Sequence, residues 1–165
     1  MNELLLDPIR HNTWAMKELI GFCREQRLTI DQLNTPGVGT YGGILPTLNH
    51  VLRSDAGYLE NLVGRRAWAE DAADTGLEGL ASRATATGEL WEELLTRPID
   101  PERVIIVDDD QNETHAGVFI AQALNHGTLH REQVCGTLAK LGIEPPDLQV
   151  WEYAWAAQRL RRRAS

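Results

Sequence analysis

Apolar residues in this chain recur mostly at three- and four-residue steps, the spacing of a helix with one buried face. The first such run lies between Pro8 and Gln26, where Ile9, Met16, Leu19, Ile20 and Cys23 share a stripe. Pro8 suits a first helical turn, because the donor it lacks is unused there. Residues 27 to 43 contain Pro36 and glycines at 37, 39, 42 and 43, a composition that predicts a long loop. A second helix follows over roughly Leu45 to Val63, with Gly64 placed as its cap. The acidic, Ala-rich stretch from Glu70 to Asp74 predicts a crossover. Thr75 and Glu78 then have capping-box spacing at the head of a third helix. Its stripe runs through Leu77, Leu80, Ala84, Trp91, Leu94 and Leu95 and stops before Pro98.

Val104 to Val107 is the one β-branched run, and it predicts a small hairpin or extended arm. Thr114 is placed to cap a fourth helix, from about Ala116 to Leu141, which Gly142 terminates. Beyond Pro145 and Pro146, Asp147 could cap a short last helix whose Trp151 and Trp155 share one face and are expected to pack on the other helices. The fold class read from this pattern is all-α. It is a four-helix bundle with a long crossover between helices 2 and 3, a short extended arm or hairpin before helix 4, and a short C-terminal helix.

Composition narrows the picture. A length of 165 residues with 42% hydrophobic and 24% charged residues suits a single globular domain over 1–165. A net charge of −8 disfavours nucleic acid and anionic membrane as partners. The one basic cluster, Arg159 with Arg161, Arg162 and Arg163, reads as a solvated helix end or tail. Two cysteines are too few for a disulfide framework, and the start of the chain has no basic, apolar leader, so a cytoplasmic location is expected. No stretch is long and apolar enough to predict a membrane span.

The histidines carry the candidate chemistry. His126 and His130 stand four residues apart, which stacks both imidazoles on one helix face within reach of a common ion. The run His126-Gly127-Thr128-Leu129-His130 lacks the glutamate of the HExxH motif, so a protease of that type is disfavoured. A third imidazole, His50, lies on the stripe of Thr47, Ser54 and Gly57, about a quarter turn from the apolar face of Leu48, Val51, Leu52 and Leu59. Burying neutral imidazoles without partners costs on the order of 1 to 3 kcal/mol each, so three converging rings are better explained by a shared ion than by packing. All-imidazole ligation suits zinc, nickel, copper or iron and disfavours magnesium and calcium.

Other candidates are weaker. His11 and Trp14 on the first helix could line a pocket over the metal, although packing at the bundle end is the commoner use of such a histidine. His115 reads as part of a helix entrance. Asp108, Asp110 and Asn112 match the first positions of a calcium loop, but Glu113 and Phe119 stand where glycine and a bidentate glutamate are required. Cys135 lies about 140° around the helix from His130 and reads as a small apolar residue facing elsewhere, and Cys23 belongs to no motif.

Three segments together resemble the DinB-like family of small metal-binding four-helix proteins: His11-Asn12-Thr13-Trp14-Ala15, Thr47-Leu48-Asn49-His50-Val51-Leu52 and Leu124-Asn125-His126-Gly127-Thr128-Leu129-His130-Arg131. Leu141-Gly142 followed by Pro145-Pro146 fits the same resemblance. It implies His50, His126 and His130 as the metal ligands, zinc, nickel or iron as the ion, the bundle with its long connection, and a homodimer. Where family members often have His-Arg-Gly-Gln, this chain has His130-Arg131-Glu132-Gln133, a change expected to matter little.

Relatives with known roles include transferases of low-molecular-weight thiols and a thiol-dependent isomerase. The leading expectation is therefore a metal-dependent thiol S-transferase acting on a small-molecule substrate, with mycothiol as one candidate cosubstrate. Its electrophile would bind between the first, second and fourth helices, near Trp14. Two rivals keep the same ion: a non-catalytic metal-binding or stress-associated homodimer in which the ion is structural, and a metal-dependent hydrolase, for which no base is evident.

Overall fold

The computed structural model describes residues 3–39, 41–69, 76–107 and 111–163. They form a mostly helical fold with one two-stranded sheet. The four long helices are α1 (Glu3–Glu25), α3 (Ile44–Val63), α4 (Leu77–Leu95) and α5 (Ala116–Lys140); the short helix α2 (Ile30–Leu33) lies between α1 and α3, the strands β1 (Val104–Val107) and β2 (Asn112–His115) between α4 and α5, and the short helix α6 (Val150–Ala156) follows α5.

Several elements differ from the sequence expectation. α1 begins at Glu3, so Pro8 lies inside it; the acceptor that Pro8 leaves unused belongs to the exposed first turn, where Leu4 is 93% accessible. The loop before α3 contains α2, held by a complete capping box: Gln32 N–H donates to Thr29 Oγ1 (3.3 Å) and Thr29 N–H to Gln32 Oε1 (2.9 Å). The α4 N-cap is Gly76, without a side-chain cap, and Thr75, like the stretch 70–74 and Asp108 to Asp110, lies outside the described residues. Thr114 does not cap α5, because it sits in β2 opposite Ile105; His115 occupies the cap position and makes no side-chain cap bond. Asp147 accepts from Gln149 N–H at 2.9 Å, one turn ahead of α6.

Trp151 and Trp155 do share a face of α6, but it points outward, leaving them 67% and 46% exposed. A helix this short docks through a single residue, Tyr153, which is 5% exposed and donates its hydroxyl proton to Asp7 Oδ1 at 3.2 Å. Arg159 pairs with the other oxygen of Asp7 at 2.8 Å, so one member of the basic cluster is tied to α1.

Side-chain contacts fix the helix directions. The ion pairs Arg10–Glu92 and Arg24–Glu78 make α1 antiparallel to α4. On α3 and α5, His50 meets His126 and His130 while Tyr58 meets Phe119, so these two are antiparallel as well.

The apolar interior is divided into two clusters. One joins Leu19 of α1, Leu52 of α3, Ala84 of α4 and Val134 of α5; the other joins Ile9, Leu59, Leu90 and Ala123 of the same four helices. On each helix a buried polar residue falls between the two: Asn12, Asp55, Thr87 and Arg131. Most buried polar groups in folded proteins are hydrogen-bonded. Accordingly Arg131 Nη1 donates to Asn12 Oδ1 at 2.6 Å and Nη2 to Thr128 Oγ1 at 3.2 Å. On α5 the same stretch, between Ala123 and Val134, carries His126 and His130.

Candidate metal centre

His50 comes from the middle of α3, and His126 and His130 from successive turns of the facing α5. All three are half-buried. Their ring centroids lie 4.9 Å (His50–His126), 5.0 Å (His50–His130) and 4.5 Å (His126–His130) apart. Nε2 of His50 is 3.0 Å from Nε2 of His126, and one nitrogen from each ring falls within 4.8 Å of the others. Two nitrogens on one tetrahedral zinc ion are roughly 3.3 Å apart at ordinary bond lengths. The group therefore has the donor type and the spacing to hold one such ion, and among the described residues no carboxylate or thiol joins it.

The electrostatics favour the same use. Burial pushes the His126 imidazole down to about 4, with the neighbouring His130 and His50 adding to the effect, and burial followed by His130 lowers His50. Neutral rings offer lone pairs, which a metal requires and a proton would block.

Outer contacts orient the ligands. His130 Nδ1–H donates to Gln133 Oε1 at 2.7 Å, which leaves Nε2 free to face the site. The Tyr41 ring lies flat against His50, with centroids 4.2 Å apart and planes 7° from parallel. Nδ1 of His126 is buried and has no hydrogen-bond partner among the described residues. Asp55 Oδ1 is likewise buried and unpartnered; burial pushes its carboxyl up to about 7, partly offset by Arg131. Gln133 stands one turn after His130, so helical spacing alone signals its role. Tyr41 lies in an irregular segment, where no periodicity marks it.

His11 and Trp14 lie apart from this group. His11 donates through Nε2 to the Leu148 carbonyl at 2.7 Å, packs against Trp14 and Tyr153, and lines a cavity of about 580 Å³. That cavity also takes Leu124 and Thr128 from α5, and Thr128, two residues from each metal-facing histidine, is some 200° around the helix from both. Trp14 lines a different cavity of about 650 Å³, with Thr13, Lys17 and Gly88. It is built by α1 and α4, and not by the first, second and fourth long helices. None of the three histidines lines either one. Burial pushes Cys23 up to about 12 and Cys135 up to about 11, so both stay protonated thiols within the core.

No helix among the described residues is long and apolar enough to cross a membrane. None of the curated proteins compared with the chain matches it. The DinB family model matches residues 1–163 of the 165, and the chain belongs to the DinB family.

Proposed function

We propose that this protein holds one divalent transition ion, zinc, nickel or iron, on His50, His126 and His130, and acts as a metal-dependent thiol S-transferase. The observation that carries the reading is the convergence of three imidazole nitrogens, from two helices, within 4.8 Å of one another. When bound, such an ion supplies a Lewis acid that lowers the pKa of a thiol at its open position. The chain provides the rest. Burial keeps the His126 imidazole neutral, and Gln133 holds the His130 ring in a fixed orientation.

The protein's own thiols are buried and held protonated, so a nucleophilic sulfur has to come from a small cellular thiol, of which mycothiol is one candidate. Hydrolysis is less well supported, because no carboxylate base joins the histidine group among the described residues. The four long helices, in their antiparallel and cross-packed pairs, are read as one four-helix bundle domain. A homodimer and a cytoplasmic location belong to the same proposal.

The test is direct. The protein is loaded with zinc, nickel or iron(II), or left metal-free, and incubated with several cellular thiols and a panel of electrophiles. Metal-dependent thioether products support the transferase. If no thiol reacts with any electrophile while chelation lowers the melting temperature, the ion is structural, as in the rival reading of a non-catalytic metal-binding homodimer.

A further inference from the structure

We propose that Tyr41 is a positioning residue of the metal centre, its ring clamping the outer face of His50, and that the described residues between α2 and α3, 34–39 and 41–43, form a latch that slows loss of the ion. This rests on the three-histidine reading above.

The contact itself is specific. Tyr41 is 63% exposed, so burial of its ring does not explain where it sits, yet it lies parallel to His50 at 4.2 Å. An imidazole that gives its lone pair to a cation becomes electron-poor, and the electron-rich face of a phenol attracts it more strongly. The stack therefore favours the liganded state of His50 over the free one.

The segment is anchored where that matters. Tyr41 N–H donates to Thr47 Oγ1 at 3.0 Å, and the Thr47 hydroxyl donates to the Gly43 carbonyl at 2.6 Å. Thr47 is fully buried and precedes His50 by one turn of α3, so the ring is tied to the face that presents the ligand. At the base of the segment, Gly43 and Asn34 touch so closely that a Cβ on Gly43 would lie 2.6 Å from the Asn34 backbone.

The same segment reaches the second ligand helix. Gly39, at φ +72°, packs against Gln133, where an added Cβ would meet Nε2 at 2.7 Å. The opposite atom of that amide, Oε1, orients His130. Tyr41 thus bears on His50 of α3, and Gly39 on Gln133 of α5, the support of His130.

The experiment compares full-length wild type, Tyr41→Phe, Tyr41→Ala and Gly39→Ala. Zinc affinity is measured by competition with a chromophoric chelator, zinc release by stopped flow, cobalt(II) absorption as a ligand-field readout, and the melting temperature on metal-free protein. Tyr41→Ala is expected to weaken zinc binding and speed release by roughly tenfold, the lower range for loss of an outer-shell partner. Its metal-free melting temperature should be unchanged. Tyr41→Phe should match wild type, because the ring does the work, and Gly39→Ala should shift in the direction of Tyr41→Ala. Wild-type affinity and release in Tyr41→Ala overturn the proposal. So does a Tyr41→Phe variant as weak as Tyr41→Ala, or a lowered metal-free melting temperature as the sole change. Failure of the wild-type protein to take up one equivalent of zinc is a distinct result, which sinks the three-histidine reading itself.

Discussion

Nε2 of His50 and Nε2 of His126 face each other at 3.0 Å, although the two residues are 76 positions apart in the chain. The pair joins α3 to α5 and sets the centre of the proposed site. Replacing either ring should remove the metal. His126→Ala is expected to lower metal content from about one equivalent to background in elemental analysis. In wild type, an ion present at roughly 100 times its Kd adds about 2.7 kcal/mol, or roughly 5 to 10 °C in a chain of this size. Chelation should abolish that increment in wild type and change nothing in His126→Ala.

Gln133 touches no ion, but it holds the Nδ1–H of His130 at 2.7 Å. Gln133→Leu keeps the bulk and removes the acceptor, so His130 loses its fixed tautomer and orientation. Metal affinity should fall 10- to 100-fold by calorimetric titration, with helix content unchanged. Gln133→Glu retains an acceptor and should restore most of the affinity.

Asp55 makes metal-free stability depend on pH. Its carboxyl is pushed from 3.8 to about 7 by burial, so folding favours the protonated form. Its contribution is most favourable below the unfolded value and is lost as pH rises towards 7, a change on the order of 4 kcal/mol. His126, lowered from 6.5 to about 4, acts in the opposite sense between those values, and Arg131 faces Asp55 from α5. The comparison is therefore with Asp55→Asn. Urea denaturation of metal-free protein at pH 4.5, 6 and 7.5 should show wild type losing ground against the variant at each step, whereas parallel curves would refute the assignment.

Two glycines of α5 should respond oppositely to alanine. A Cβ on Gly127 would lie 2.5 Å from Asn12 Oδ1 and 2.8 Å from Arg131 Nη1, both members of a buried hydrogen-bonded pair. Gly127→Ala should destabilise by about 1 to 3 kcal/mol, outweighing its gain in helix propensity. Nothing lies within 4 Å of a Cβ on exposed Gly136, so Gly136→Ala should stabilise by up to about 1 kcal/mol. Chemical denaturation of both variants checks the contrast.

Much of this was legible in the chain itself. Periodicity located the four long helices, the β-branched run marked the first strand of the hairpin, and the i, i+4 spacing put His126 and His130 on one face. These are local properties, dictated by 3.6 residues per turn and by side-chain chemistry within a few positions. The capping box of Thr29 and Gln32 is local as well, but it heads a helix of four residues, too short for apolar periodicity to reveal.

Packing decided the rest. Spacing placed Trp151 and Trp155 together but could not say which side of α6 would dock, and Tyr153 took that place. The layer of Asn12, Asp55, Thr87 and Arg131 comes from four helices, and no one of them alone signals that the apolar interior is divided there. Tyr41 reached His50 because its segment folds back onto α3. A helix pattern shows which residues share a face, whereas the axial register between helices determines which faces meet, and register is settled only when side chains from distant parts of the chain interlock.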